Sequence, residues 1–184
     1  MLKELTIEIR KLCATDTEGD EAMALIAKAM QNLGERPMAD IRDFHEKYAV
    51  PRFGSILPLT MQKFRVCAMF EELMEYCEAV GFKPVGSFPD DADDCGKIEF
   101  QYTDIGTATA AFDSLIDLVY FTLGTVHAHR FPFEKGWRRV HRANMLKKRV
   151  ERASESKRGS LFDVVKPEGW EAPVLDDLIE VNHE

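Results

Sequence analysis

Between Ile105 and His129 the only formal charges are Asp113 and Asp117, and the surrounding stretch, AAFDSLIDLVYFTLGT, is nearly all apolar. A run of this length is too long for one strand of a small sheet and reads as a helix from about Thr107 to Ala128. Phe131-Pro132-Phe133 ends it, since proline cannot continue the backbone ladder. The two aspartates stand four apart on one face, and Tyr120 and Gly124 prolong the same stripe. Aspartate is a poor helix-interior residue, and a carboxylate in so apolar a helix is costly unless paired or metal-bound. Asp117 can be accounted for by hydrogen bonds from a neighbouring Arg, Tyr or backbone group; for Asp113 metal ligation is the expectation.

A second long helix is expected from about Thr60 to Val80, with Gly81 placed to cap its C-terminus. It carries Glu71, Glu72, Glu75 and Glu78, which fall within an arc of about 120°, opposite Phe70, Leu73, Cys77 and Val80. A solvated acidic face is the ordinary explanation. Here, however, no Lys or Arg lies three or four residues from any of these glutamates, while several have each other at that spacing. Like charges so placed each cost a few tenths of a kcal/mol. Ala68 and Ala79 share the arc, with Cys67 at its border, and small residues suit a packed neighbour. Uncompensated carboxylates facing another helix call for a cation, and hard oxygen ligands suit Mg²⁺ or Mn²⁺.

A basic helix is expected from about Glu134 to Ser154, with Lys135, Arg138, Arg139, Arg142, Lys147, Lys148 and Arg149. Asn144 and Lys147 fall three apart on a common face, where donors to a polyphosphate are one reading and a solvated cationic face the other. Residues 1–32 read as one or two helices around the turn DTEGD, and 83–98 as an acidic surface loop. The stretch IEFQYT stands alone and is discounted as a strand. The fold class is therefore all-α, a four-helix-type bundle with an N-terminal helical extension and an irregular C-terminal tail. The expected boundaries are 1–39, 40–152 and 153–184.

A formal net charge of −8 disfavours direct nucleic-acid binding, which rests on Lys and Arg neutralising phosphates. It does not disfavour a phosphate-bearing small substrate, because a bound metal reverses the local field. Cys13, Cys67, Cys77 and Cys95 form no CxxC pair, the N-terminus lacks a signal-peptide core, and no unbroken apolar run spans a bilayer. The expectation is a cytoplasmic protein with reduced thiols and no membrane partner.

Four segments, FHEKYAVP (44–51), the run from Arg65 to Ala79 containing EELMEYCEA, DSLIDLVYFTLGT (113–125) and VHRANMLK (140–147), together resemble the all-α nucleoside triphosphate pyrophosphohydrolase superfamily. Its members include MazG, phosphoribosyl-ATP pyrophosphohydrolase and dimeric dUTPase, and the order of segments is similar to a phosphoribosyl-ATP pyrophosphohydrolase-like branch common in phages. The resemblance implies hydrolysis of a nucleoside triphosphate to monophosphate and pyrophosphate. It further implies that Glu71, Glu72, Glu75 and Asp113 hold two or three Mg²⁺ or Mn²⁺ ions. Glu72 or Glu75 would act on the attacking water, and Asn144 and Lys147 would contact phosphates. Lys148, Asp117 and Tyr120 complete the expected substrate-binding set. A homodimer or homotetramer is implied too, in the host cytoplasm if the chain is phage-encoded. The sequence departs from the family where its second acidic motif often has a glutamate three before the aspartate; Ala110 stands there, so Asp113 and Asp117 could share the work.

The base is open, with a purine deoxynucleotide such as dGTP preferred by analogy, and dUTP, dCTP or phosphoribosyl-ATP as alternatives. HD, Nudix and P-loop hydrolase motifs are absent, and DDADDCG lacks the final glutamate of an EF-hand loop. His127 and His129 lie on opposite sides of a helix, which suits packing or the surface better than zinc. The non-enzymatic alternative is a helical interaction module whose acidic face docks a basic partner.

Overall fold

The computed structural model describes residues 36–85 and 98–179. The expected N-terminal helices, the DTEGD turn, DDADDCG, Cys13 and Cys95 lie outside the described residues. Four helices dominate: α1 (36–47), α2 (Leu59–Ala79), α3 (Ala108–Ala128) and α4 (Phe133–Met145). Two short antiparallel ladders accompany them, β1 (Phe82–Val85) with β2 (Glu99–Tyr102) and β3 (Lys148–Arg149) with β4 (Val164–Val165). The architecture is all-α, as the apolar periodicities imply.

Local chemistry sets the helix ends. Thr107 caps α3, its side-chain oxygen accepting from the Ala110 amide at 3.1 Å. At the other end every late carbonyl has a partner: Thr125, Val126 and His127 accept from the His129, Phe131 and Arg130 amides, and Ala128 accepts from Phe53 at 2.9 Å. Arg130 closes this turn in the left-handed region, φ 57°, where glycine is the usual occupant. Gly81 ends α2 with φ 80°, the role its position in the sequence suggests. Along α3, Ser114, Thr122 and Thr125 turn their hydroxyls onto the carbonyls four residues back, so these polar side chains are satisfied within the helix.

Helices α2 and α3 run antiparallel. Arg65 meets Gly124, Met69 Sδ lies 3.6 Å from Thr122 Oγ1, and Ala79 abuts Gly106. The buried residues of α2 are Arg65, Ala68 and Ala79. Close approach is thus made on the small-residue edge. Phe70 and Leu73, on the opposite side, are each more than two-fifths exposed. The helix axes approach where the side chains are short, and this overrides the simple apolar-inward rule. The core sits instead at the far end of α3, where Met38 and Ile41 of α1 pack on Leu123, flanked by Tyr120 and Phe133. Each such fully buried aliphatic contributes about 1.5–3 kcal/mol.

A polar cluster lies beside this core. His45, Arg65 and His127 are all buried, the two imidazoles meet edge to face at 4.8 Å, and Arg65 Nη2 lies 3.5 Å from His45 Nε2. Gly124 makes room for it. A Cβ there would stand 2.9 Å from Arg65 Nη1 and 3.4 Å from His45 Nε2. Gly124→Ala gains about 1 kcal/mol of helix propensity but crowds a guanidinium held between two helices, at about 1–3 kcal/mol. The expected net result is a destabilisation of about 1 kcal/mol by urea denaturation, and a stabilised variant would contradict this packing.

Two expectations are corrected. IEFQYT does contain a strand: β2 pairs with β1 in the register Phe82↔Tyr102 to Val85↔Glu99, and Phe82 packs on Phe100 and Tyr102. Its partner was hidden in a stretch read as loop because Pro84 interrupts it, and an edge ladder tolerates proline. The basic helix ends at Met145, not Ser154, because Lys148 and Arg149 pair with Val165 and Val164 and Val150 is buried beside them. The C-terminal segment is correspondingly ordered against α4: Trp170 Nε1 donates to the Ala143 carbonyl at 2.8 Å, and Arg139 makes a bidentate pair with Asp177.

Among the described residues Ala108–Ala128 is the helix long and apolar enough to cross a membrane by length and composition. It carries Asp113 and Asp117 and packs along α2.

Candidate active site

The antiparallel pairing decides which acids meet. From the Arg65–Gly124 and Met69–Thr122 contacts, each step toward the C-terminus of α2 is matched by a step toward the N-terminus of α3. Glu72 and Glu75, one turn and two turns beyond Met69, therefore fall beside the turns of Asp117 and Asp113. The electrostatics follow. The Glu72 carboxyl is pushed above the ordinary range by its partial burial, then by the fields of Glu75, Asp117, Glu71 and Asp113. Five carboxylates from two helices thus act at one place, Glu72 being half-buried and the other four exposed.

That exposure corrects the expectation of buried aspartates. Asp113 and Asp117 are exposed at the edge of α3 next to α2, and Phe112, Ile116 and Val119 beside them are also open. None of the ion pairs among the described residues engages these five acids. Nor, among the described residues, are three or more His, Cys, Asp or Glu gathered closely enough to hold a metal ion. The two observations differ in kind. The carboxylates are near enough to raise the proton affinity of Glu72, and not drawn into a ligating cage. For a divalent cation the donor set fits by chemistry: hard oxygens, no cationic side chain paired with them among the described residues, and mutual repulsion that a cation would relieve.

The expected phosphate-binding residues are placed differently. Because α4 stops at Met145, Asn144 and Lys147 do not share a helical face. Asn144 is exposed, the Lys147 ammonium lies 5.6 Å from the centre of the Trp170 ring, and Lys148 belongs to β3. The described contacts of Lys147 and Lys148 are with the C-terminal segment rather than with the acids. Tyr120 packs edge to face on Phe44 at 5.4 Å, against α1, and burial together with Asp40 and Tyr48 raises its pKa. His127 and His129 are packing residues as expected, His129 Nδ1 lying 2.9 Å from the Ser55 carbonyl oxygen and its ring stacking on Phe131. The sequence reading missed the buried Arg65–His45 contact, although Arg65 stands in the run quoted for the resemblance. A lone Arg on a helix carries no signal of burial without its partner helix.

Comparison with known proteins yields one family. Residues 55–144 match the model of phosphoribosyl-ATP pyrophosphohydrolase, a span that takes in α2, α3 and nearly all of α4 and leaves out α1 and the C-terminal segment. Among curated proteins and among solved structures nothing matches the chain. The acid-bearing pair α2 and α3 lies wholly within the matched span, and residues 55–144 are thus similar to the all-α pyrophosphohydrolases of the phosphoribosyl-ATP pyrophosphohydrolase type.

Proposed function

We propose that the chain is a divalent-metal-dependent pyrophosphohydrolase, cleaving a nucleoside triphosphate between its α- and β-phosphates to release the monophosphate and pyrophosphate. The observation that carries this reading is the convergence on Glu72 of four further carboxylates from two helices, within the span that matches the family. Glu71, Glu72, Glu75 and Asp113 would hold two or three Mg²⁺ or Mn²⁺ ions. Such ions, when bound, offset the charge of the triphosphate and of the departing pyrophosphate.

The remaining work falls to the chain. Glu72 or Glu75 orients the attacking water and takes its proton, and a carboxylate with raised proton affinity suits a base. Asp117, sharing the field at Glu72, supports the same site from i, i+4 spacing. Lys147, Lys148 and Asn144 donate to phosphate oxygens, which for Lys147 requires exchanging the Trp170 ring for the substrate. Tyr120, fixed against α1, borders the site one helical turn from Asp117.

The family match supports phosphoribosyl-ATP as substrate ahead of the purine deoxynucleotide dGTP expected from the sequence, with dUTP and dCTP behind both. A screen of phosphoribosyl-ATP and the common NTPs and dNTPs, reading pyrophosphate release, ranks them. Turnover is expected with Mg²⁺ or Mn²⁺ and none in excess EDTA. Activity that persists in EDTA ends the metal-dependent reading. Silence on every substrate, with no Mn²⁺ uptake by calorimetry, favours the acidic docking module instead.

A homodimer or homotetramer fits the same face. Phe112, Ile116 and Val119 form an i, i+4, i+7 stripe, each about half exposed or more, beside the exposed Leu73 of α2. Burying that stripe against a second copy would also enclose the acids. Light scattering should give a mass above that of one chain.

A further inference from the structure

At the opposite end of α3 from the acids, the C-terminus of that helix, α1, the 51–58 loop and the first turn of α4 enclose an open cleft of about 360 Å³. Arg42, Arg52, Arg130 and Lys135 line it, Glu134 is the one carboxylate among its walls, and the buried His127 forms part of its floor. We propose that this cleft binds a phosphate-bearing anion, at a site separate from the carboxylates of α2 and α3.

Four observations carry it. First, like charges have been brought together with little to offset them. None of the ion pairs among the described residues engages Arg42, Arg52, Arg130 or Lys135, and Asp177, on which Lys135 acts, is already held in the bidentate pair with Arg139. Second, the fields converge: Arg52 and Arg42 both act on the His127 ring and help to keep it uncharged. Third, Arg130 adopts φ 57°, at a cost of about 1 kcal/mol that glycine would avoid, and its Nη2 reaches to 3.5 Å from the Arg52 carbonyl oxygen. A strained backbone retained for a charged side chain points to use of that charge. Fourth, the cleft opens on the N-terminal turn of α4, whose helix dipole is positive there.

The position separates this cleft from the proposed active site. At 1.5 Å per residue, His127 is about 15 Å along α3 from Asp117 and about 21 Å from Asp113. The inference stands on the cleft alone, independent of the pyrophosphohydrolase reading. The shared chemistry is the phosphate group, either as free phosphate or pyrophosphate or as the terminal group of a nucleotide. Dianions and trianions match the count of cations best, and planar guanidinium forks suit phosphate oxygens.

The test uses the full chain in EDTA, so that no metal recruits the ligand to the acids, with ionic strength held constant by chloride. Calorimetry and thermal melts are run with inorganic phosphate, pyrophosphate, AMP and adenosine. Saturating pyrophosphate should raise Tm by roughly 5 °C. Adenosine should do nothing. AMP binding more tightly than phosphate assigns the site to a nucleotide, and the reverse order assigns it to the free anion. Arg52→Gln should weaken binding about tenfold. Arg130→Gly is the sharper variant: it removes the charge and relieves the backbone, so the anion-free Tm should hold or rise while the pyrophosphate-dependent shift is lost. Glu72→Gln should leave the shift intact. Absence of any shift in the unmodified chain overturns the proposal. So does a shift that survives in Arg52→Gln and Arg130→Gly, or one that disappears in Glu72→Gln, since the anion would then sit elsewhere.

Discussion

Glu72→Gln is expected to lower kcat for pyrophosphate release by about 100-fold or more while leaving the protein folded and slightly more stable. The two halves of this outcome share one cause. Glu72 stands in the fields of Glu75, Asp117, Glu71 and Asp113, and together with its own partial burial these raise its proton affinity. An amide keeps the shape of the side chain and removes the repulsion, a gain of a few tenths of a kcal/mol from Glu75, one turn away on α2. The same change removes a metal ligand and a base. A structural role predicts the opposite pairing, with Tm falling and turnover little changed. Measuring kcat with the preferred substrate alongside a calorimetric Tm separates the two, and unimpaired turnover in Glu72→Gln would remove this carboxylate from the mechanism. Mn²⁺ titration of the same variant should show weakened binding whether or not the right base has been found.

Acid should destabilise the fold well before carboxylates titrate. His127 is 7% exposed, and its pKa falls from 6.5 to about 4 through burial first, then the positive charges of Arg52, His45 and Arg42. His45, 4% exposed, is lowered as well, by burial and by Arg65 and Arg52. Between pH 4 and 6.5 the unfolded chain therefore binds more protons than the folded one, and stability rises with pH across this window. The stabilisation is complete above pH 6.5 and is lost as the pH falls toward 4. From His127 alone the total is on the order of 3 kcal/mol. Asp163, Glu155 and Asp177 are held below the usual carboxylate range by hydrogen bonds to Ser156, Glu151 and Arg139 respectively, so their contributions fail at lower pH. Urea midpoints at half-unit intervals from pH 4 to 8 should show the slope, and His127→Gln should flatten it. A flat profile in the unmodified chain would mean that water reaches the two rings.

Much of this fold was legible because long helices announce themselves. The apolar stretch ending in Phe-Pro-Phe gave α3 to within a residue, and Gly81 marked the end of α2 where a positive φ is in fact adopted. The acids of the candidate site were legible for a related reason: glutamates that repel one another along a helix, without a lysine in reach, are a local anomaly. The β1–β2 ladder and the early end of α4 were not legible. Strands of two to four residues carry too little periodicity, and each exists only because a partner distant in the chain supplies its hydrogen bonds.

The sequence by itself determined the long helices, the ends of α2 and α3 and the run of carboxylates on them, since these follow from spacing within a single segment. Tertiary structure alone decided which carboxylates meet, that α2 buries Arg65, that Lys147 rests on Trp170, and that four cations surround one cleft at the end of α3. The physical reason is one of range. Helix propensity and capping act over a few residues, whereas the depth at which two helices pack, and the charges thereby brought together, depend on residues tens of positions apart.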